Sequence, residues 1–291
     1  MNIGRALVLI GVVMLIGFVL FALLVPGIFQ SPSIKSQPHS TSTRVAHGKV
    51  TPTPTPIPLL NLTQYINPLI GTQSGSPIPN FPESGGNTFP GADAPFGMVQ
   101  WSPDTTSNQP GGYNYNDSTI KGFSLTHLSG AGCTIYGDVP FMPFVGSVLT
   151  SPATNGATYA SSFSHSSEKA SPGYYSVLLA KPNVKAELTV TDRTGFGRFS
   201  YPASTSSVML INAGGSVNGV SAASVQINSK NQTVTGMATS GHFCSRLDTY
   251  TLYFAAHFDQ PFTNVGTWNG ATVTPGSTSS TSASSGAYLT F

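Results

Sequence analysis

The stretch KAELTVTD, residues 185–192, carries the pattern that decides the fold class. Apolar and polar side chains alternate along AELTVT, as they do in a β-strand that buries one face. Six further short runs rich in strand-forming residues lie around it, with turn signals between them: YSVLLA (175–180), GRFSYP (197–202), SVMLINA (207–213), SVQINS (224–229), TVTGMA (233–238) and YTLYFAAHF (250–258). The last run is more continuously apolar, which predicts a strand covered on both faces. No stretch beyond residue 58 has an apolar stripe at helical spacing. The pattern therefore predicts an all-β fold, a large antiparallel β-sandwich over residues 59–291.

The amino-acid composition also favours strands over helices. Charged residues make up 8% of the 291 residues, against about 25% in ordinary soluble domains, whereas glycine (31) and proline (23) are abundant. Four basic residues, Arg5, Lys35, Arg44 and Lys49, precede residue 50. From residue 51 onward the chain has eight basic and ten acidic residues, a net charge of −2. Because no basic stripe with interleaved aromatic residues occurs, the sequence argues against a nucleic-acid partner.

An apolar segment near the amino terminus predicts export. Residues 6–25, ALVLIGVVMLIGFVLFALLV, form an unbroken apolar run that is long enough to cross a bilayer as a helix. Arg5 precedes the run, and this positive flank keeps the start of the chain in the cytoplasm and sends the rest outside. We expect residues 1–25 to form a signal anchor, a transmembrane helix that makes this a single-pass protein of the cell membrane. The alternative is a cleaved signal peptide and a secreted protein.

A linker follows the apolar segment. Residues 26–58 are rich in Ser, Thr and Pro and end in TPTPTPIP, whose alternating prolines favour an extended polyproline II spacer. The sequence thus divides into a membrane segment (1–25), a linker (26–58) and a folded domain (59–291). The chain ends in GAYLTF, an apolar strand without a closing turn, so we expect it to be cut from a longer protein.

Two cysteines, Cys133 and Cys244, lie 111 positions apart. Outside the cytoplasm such a pair can form a disulfide. Closing so long a loop would stabilise the fold by about 4 kcal/mol in the loop-entropy model. Two buried free thiols are the alternative, and the residues alone leave both open.

A glycine-rich segment, GFSLTHLSGAGCTIYGD at residues 122–138, gathers reactive side chains that include His127 and Asp138. Gly130 and Gly132 let its backbone take positive φ angles or approach a ligand closely. The H-E-x-x-H, G-x-S-x-G and P-loop motifs are missing from the sequence, and the spacing matches no metal site. The segment is therefore either a tight inter-strand loop with a buried, hydrogen-bonded histidine or a binding loop.

A second polar and aromatic cluster, SPDTTSNQPGGYNYND, occupies residues 102–117. Tyr113 and Tyr115 stand at strand spacing, so we expect their rings on one face, and Asn116 and Asp117 follow directly. Aromatic faces beside amide and carboxylate groups suit sugars, which offer apolar C–H faces and polar rims. The alternative is an ordinary edge hairpin with tyrosines at its surface.

Five longer motifs occur in order along the domain: YINPLIGT (65–72), GGNTFPGADAPFGMVQWSPDT (85–105), GGYNYND (111–117), KGFSLTHLSGAGCTIYGDVPFMP (121–143) and FSHSSEKASPGYYSVLL (163–179). They closely resemble the N-terminal domain of glycoside hydrolase family 92, the calcium-dependent exo-acting α-mannosidases. The likeness continues through VKAELTVTDRTGFGRFSYP (184–202) and YTLYFAAHFDQPF (250–262). It covers about residues 59–291.

The resemblance implies a fold and a mechanism. An N-terminal β-sandwich packs on a C-terminal (α/α)6 barrel, with the active site in the cleft between them. In an inverting glycosidase an acid protonates the leaving oxygen and a base activates a water on the opposite face of the sugar. Ca²⁺ helps to bind and distort the terminal mannose. The family's acid, base and calcium ligands lie mainly in the helical domain, which we expect to be missing here, so the resemblance assigns no catalytic residue and no metal ligand to this chain.

The resemblance further implies an exported α-mannosidase fragment that is inactive by itself. Its expected partners are α-mannosides and the missing (α/α)6 domain. Loops of the sandwich help to shape the sugar pocket, which gives six candidate substrate-binding residues: Tyr113, Tyr115, Asn116, Asp117, His127 and Asp138. Two alternatives stay open, a stand-alone cell-surface carbohydrate-binding module without hydrolase activity and a non-functional remnant.

Overall fold

The computed structural model describes residues 61–75, 85–107 and 110–291. Within these ranges the chain is built almost entirely from β-strands, so the all-β prediction is confirmed. Over the same ranges, no helix has both the length and the apolar character needed to cross a membrane. The predicted transmembrane segment (1–25) and the linker (26–58) lie outside the described residues.

The described residues contain seventeen strands. In chain order they are β1 (Ala92–Asp93), β2 (Gln100–Thr105), β3 (Thr119–Ser124), β4 (Phe141–Val145), β5 (Ser161–Ser162), β6 (Lys169–Ser171), β7 (Tyr174–Leu179), β8 (Val184–Val190), β9 (Gly195–Ser200), β10 (Ser207–Ile211), β11 (Ala222–Asn228), β12 (Thr233–Gly241), β13 (Thr249–His257), β14 (Asn264–Asn269), β15 (Thr272–Pro275), β16 (Ser279–Thr281) and β17 (Ser285–Thr290). The helical elements are α1 (Pro152–Tyr159) and three short 3₁₀ turns at Leu62–Tyr65, His165–Ser167 and Phe243–Ser245.

The strands form three sheets in which the described pairings are antiparallel. The nine-stranded sheet has the order β1-β2-β3-β4-β10-β17-β14-β15, with β5 paired to β3. One four-stranded sheet runs β6-β7-β8-β9, and the other runs β13-β12-β11-β16. Buried apolar residues from all three sheets belong to one continuous core.

Strand β10 shows why this core forms. Its sequence SVMLI has four apolar residues after Ser207, and all five residues are buried, as expected for a central strand covered on both faces. It pairs with β4 on one side, where Ile211 lies opposite Phe141, and with β17 on the other, where Met209 lies opposite Leu289.

The alternating stretch that predicted the fold class forms β8. Ala186 and Leu188 are buried in the core, as the period of two requires. Glu187 points to the other face, where it is shielded by Lys185 and Arg198, whose side-chain nitrogens lie 3.0 and 2.8 Å from its carboxylate oxygens.

The run YTLYFAAHF forms β13, but the predicted burial of both its faces is wrong. Among the described strands β13 pairs only with β12, which makes it the edge strand of its sheet. Its residues alternate between half-buried and exposed. Phe254 packs against the core, whereas the neighbouring Tyr253 is 79% exposed. The apolar character of the run therefore reflects small and aromatic residues on an open face.

Candidate functional site

The glycine-rich segment 122–138 runs from the end of β3 toward β4 and carries a buried histidine. His127 Nε2 lies 3.2 Å from Asp104 Oδ1 in β2, and Nδ1 lies 2.8 Å from the backbone carbonyl oxygen of Gln100. Since a carbonyl only accepts hydrogen bonds, Nδ1 carries a proton. Ser124 donates its backbone N–H, at 3.1 Å, and its hydroxyl to Asp104 Oδ2. His127 is therefore a buried histidine whose two ring nitrogens are both engaged.

Two glycines let the 110–117 segment close over this pair. Gly112 has a φ of +81°, and a Cβ there would lie 2.7 Å from His127 Cδ2 and 3.1 Å from Asp104 Oδ1. A Cβ on Gly111 would lie 2.6 Å from the carbonyl oxygen of Thr88. Only glycine fits such an approach without moving backbone or the buried pair.

Glu168 is a second buried carboxylate, and it joins the 110–117 segment to β7. Its Oε1 accepts hydrogen bonds from the hydroxyls of Tyr113, at 2.9 Å, and Tyr175, at 2.7 Å. Its Oε2 lies 2.8 Å from His165 Nδ1. Burial, and then the nearby charge of Glu168, raise the pKa of both tyrosines well above the ordinary value. The two hydroxyls therefore remain protonated donors to the carboxylate.

Tyr113 and Tyr115 lie in a loop and not in the strand that their spacing suggested, with Tyr115 in a turn and Tyr113 just before it. Asn114 causes the turn, because its Oδ1 accepts the backbone N–H of Asn116 at 3.0 Å. Tyr113 is fully buried. Tyr115 is half-buried and stacks on His165, with ring centroids 3.9 Å apart and an interplanar angle of 13°. The two tyrosines thus converge on the Glu168–His165 pair.

Asn116 and Asp117 hold neighbouring loops together. Asn116 is exposed, and its Nδ2 donates to Ser74 Oγ at 3.0 Å. Asp117 is half-buried and accepts the backbone N–H of Ser107 at 2.8 Å. Burial acts to raise the pKa of Asp117, but hydrogen bonds from Ser107 and other hydroxyl groups outweigh it and lower the pKa. Asp117 therefore stays ionised as a loop anchor.

Asp138, at the end of the glycine-rich segment, is fully buried. Its Oδ2 accepts hydrogen bonds from Thr126 Oγ1 and from the hydroxyl of Tyr250, both at 2.8 Å. Within the described part of the chain, its Oδ1 accepts none. Burial raises the pKa of Asp138, although the two hydroxyls act to lower it. Asp138 therefore ties the segment to the start of β13.

A disulfide between Cys133 and Cys244, with Cα atoms 5.3 Å apart, joins the glycine-rich segment to the turn between β12 and β13. Beside it lies a cavity of about 480 Å³ that is open to solvent. Its lining residues come from three segments: Cys133, Thr134, Asn218, His242, Cys244 and Ser245.

The six predicted substrate-binding residues divide by exposure. Tyr115, Asn116 and Asp117 reach the surface, whereas Tyr113, His127 and Asp138 are buried. Their role in sugar binding stays a prediction. Sequence reasoning missed the partners that hold them: Asp104, Glu168, His165 and Tyr250. Asp104 and Glu168 are the acidic residues of the motif fragments SPDT and SSEK. Their place inside these motifs was the available signal that they are partners of the predicted residues.

The resemblance implies Ca²⁺, which takes six to eight oxygen ligands. Among the described residues, no group of three His, Cys, Asp or Glu side chains is arranged to hold a metal ion. The buried carboxylates Asp104 and Glu168 are instead engaged by side-chain donors. The location of the calcium ligands therefore stays a prediction.

Comparisons with known proteins find relatives of similar sequence and fold. The N-terminal domain of the family GH92 α-mannosidase BT3965 from Bacteroides thetaiotaomicron is similar at 33% identity and a TM-score of 0.69, over 79% of this chain and 31% of that one. The family GH92 inverting mannosidase BT2199 from the same organism is 28% identical, with a TM-score of 0.63, over 79% and 29%. An uncharacterized secreted glycosidase of Arthroderma benhamiae is 29% identical over 149 residues, 49% of this chain and 18% of that protein. The chain thus spans less than a third of the length of these relatives.

The fold and these neighbours define a glycoside-hydrolase domain of the all-β class. The family model described as the glycosyl hydrolase family 92 N-terminal domain matches residues 65–291. The chain therefore belongs to glycoside hydrolase family 92 and contains its N-terminal domain.

Proposed function

We propose that this chain is the N-terminal domain of an exported, exo-acting α-mannosidase, and that its loops shape part of the cleft for terminal α-mannosyl residues. The observation that carries the proposal is the match of the family 92 N-terminal domain to residues 65–291. The solved neighbours of known activity are mannosidases. The conclusion about substrate is transferred from them.

We further propose that the chain does not hydrolyse glycosides by itself. An inverting glycosidase needs one carboxylic acid and one carboxylate about 6.5–9.5 Å apart, with a water between them. The buried carboxylates of the described residues are instead held by neighbouring donors. Asp104 is engaged by Ser124 and His127, Asp138 by Thr126 and Tyr250, Glu168 by two tyrosines and a histidine, and Glu187 by Tyr174, Lys185 and Arg198. These four carboxyl groups therefore serve the structure of the described part of the chain, and we propose that the catalytic acid and base lie elsewhere.

The extracytoplasmic location is part of the same proposal. It rests on the apolar run 6–25 after Arg5, on the disulfide and on the relative described as secreted. The mass and membrane association of the mature protein distinguish a retained membrane anchor at residues 1–25 from a cleaved signal peptide.

The experiment is a hydrolysis assay of the chain on an aryl α-mannoside, with and without Ca²⁺. The proposal predicts no turnover in either condition. Turnover that a chelator abolishes would contradict the proposal that the catalytic groups lie elsewhere. The alternative of a stand-alone carbohydrate-binding module predicts the same result here, and the domain exchange described at the end of the Discussion separates the two.

A further inference from the structure

The cavity beside the Cys133–Cys244 disulfide has walls that are fixed in place. The disulfide joins the glycine-rich segment to the turn between β12 and β13. Asn218 joins the third wall to both, because its Nδ2 donates to the carbonyl oxygens of Thr134, at 2.8 Å, and Gly241, at 2.9 Å. A site whose walls are held before binding loses little entropy when a ligand enters.

The lining offers uncharged polar groups that the described residues leave unused. No described residue hydrogen-bonds to Thr134 Oγ1, Asn218 Oδ1 or Ser245 Oγ. His242 Nδ1 donates to the carbonyl oxygen of Arg246 at 3.1 Å, and no described residue hydrogen-bonds to its Nε2. Donors and acceptors are therefore present together, and the side chains that line the cavity include no Lys, Arg, Asp or Glu.

The backbone of the wall formed by the turn between β12 and β13 is strained. His242, Cys244 and Ser245 have φ angles of 62°, 50° and 62°, the left-handed region that non-glycine residues rarely adopt. Such conformations persist only where the surroundings enforce them, and they cluster at ligand sites. Gly132 and Gly219 precede and follow the lining residues Cys133 and Asn218 in the chain, and a Cβ on either would meet nothing within 4 Å.

We propose that this cavity binds one neutral pyranose ring of an α-mannoside. The ring's hydroxyl groups bond to Thr134, Asn218 and His242, and its C–H face lies against the disulfide. The volume of about 480 Å³ falls in the usual range for small-molecule sites. The choice of mannoside as ligand rests on the proposed function, whereas the site itself rests on the geometry of the cavity.

The test is a titration of the full 291-residue chain with methyl α-D-mannopyranoside, followed by NMR. Thr134→Val keeps the side-chain shape and removes the hydroxyl. His242→Asn removes the imidazole and suits the positive φ, since asparagine tolerates that region. Each variant is expected to raise Kd about fivefold, the effect of one lost hydrogen bond. Thr134→Ser, which retains a hydroxyl, and Tyr253→Ser, on the open face of β13, are expected to bind like the wild type.

A measurement on the wild-type chain protects the test from variants that fail to fold. The amide signals of residues 133–134, 218 and 242–245 are expected to shift on addition of the mannoside. Shifts confined to other residues, equal affinity of Thr134→Val and Thr134→Ser, or no binding at all would each overturn the proposed site. None of these outcomes decides the proposed function, which is tested separately by the turnover of a chimeric α-mannosidase that carries this domain.

Discussion

His127 and Asp104 face each other inside the protein, with Nε2 3.2 Å from Oδ1 and both side chains almost fully buried. Each has a further anchor, Gln100 for the histidine and Ser124 for the aspartate. The pair joins β2 to the glycine-rich segment. The histidine that looked like a reactive group in the sequence therefore holds the loop in place.

Asp104→Asn is expected to lower the free energy of unfolding by about 3 kcal/mol, because it removes a buried carboxylate oxygen that accepts hydrogen bonds and places an amide NH₂ group among donors. Urea denaturation measures the change. Asp192→Asn, at an exposed turn between β8 and β9, is the matched control and should change the value by less than about 0.5 kcal/mol. Equal effects of the two substitutions would contradict a buried, paired Asp104.

A comparison of Gly112→Ala with Gly130→Ala separates two contributions to the loss of stability, backbone strain and steric conflict with His127. Both glycines have positive φ, +81° and +77°, so alanine at either position costs about 1 kcal/mol. At Gly112 the new methyl group would also lie 2.7 Å from His127, whereas at Gly130 it would meet nothing within 4 Å. We expect Gly112→Ala to be destabilising by at least about 2 kcal/mol more than Gly130→Ala in thermal or urea unfolding. A difference near zero would show that the 110–117 segment does not rest on the pair.

Tyr175→Phe tests the Glu168 network. The substitution removes a donor at 2.7 Å from a buried carboxylate, and hydrogen bonds to charged groups are worth about 1.5–3 kcal/mol. We therefore expect a loss of about 2 kcal/mol in unfolding free energy. Tyr253→Phe, at the exposed tyrosine of β13, should be nearly neutral. A neutral Tyr175→Phe would mean that Glu168 does not depend on this hydroxyl.

The surroundings of Glu187 predict how the free energy of unfolding depends on pH in the acid range. Hydrogen bonds from Arg198 first and Lys185 next lower its pKa from 4.5 to about 2. A carboxyl group whose pKa is lowered on folding adds stability above its unfolded pKa and loses it as the pH falls toward the folded pKa. Glu187→Gln should thus cost about 1 kcal/mol at pH 7, and its difference from wild type should shrink between pH 4.5 and 2. Asp259→Asn, at an exposed acid, is the control at pH 7 and should change the free energy of unfolding by less than about 0.5 kcal/mol.

Short-range patterns predicted the strands well. The alternation in AELTVT predicted β8 with one face in the core, and the run SVMLINA predicted the strand β10, because side-chain period is a local property of the chain. The same logic failed for β13, since an edge position depends on which strands assemble beside it. The strand predicted for Tyr113 and Tyr115 was also wrong, but for a local reason: a turn at Asn114 replaces it.

Long-range partners lay beyond what the sequence could predict. Asp104 meets His127 across 23 positions, and Tyr250 meets Asp138 across 112. Nothing in the spacing of these residues specifies the contact, which follows from sheet order. For the cysteines, the sequence left a disulfide and two free thiols open, and the fold places them 5.3 Å apart at Cα.

The proposed function makes this domain part of an α-mannosidase whose substrate cleft it helps to shape. The most direct measurement is the hydrolysis of an aryl α-mannoside by a chimera in which residues 59–291 replace the matching domain of the Bacteroides thetaiotaomicron α-mannosidase BT3965. We expect the chimera to show Ca²⁺-dependent turnover that an unrelated β-sandwich in the same place does not support. A chimera that unfolds cooperatively yet shows no turnover, while the intact parent enzyme remains active, would contradict it.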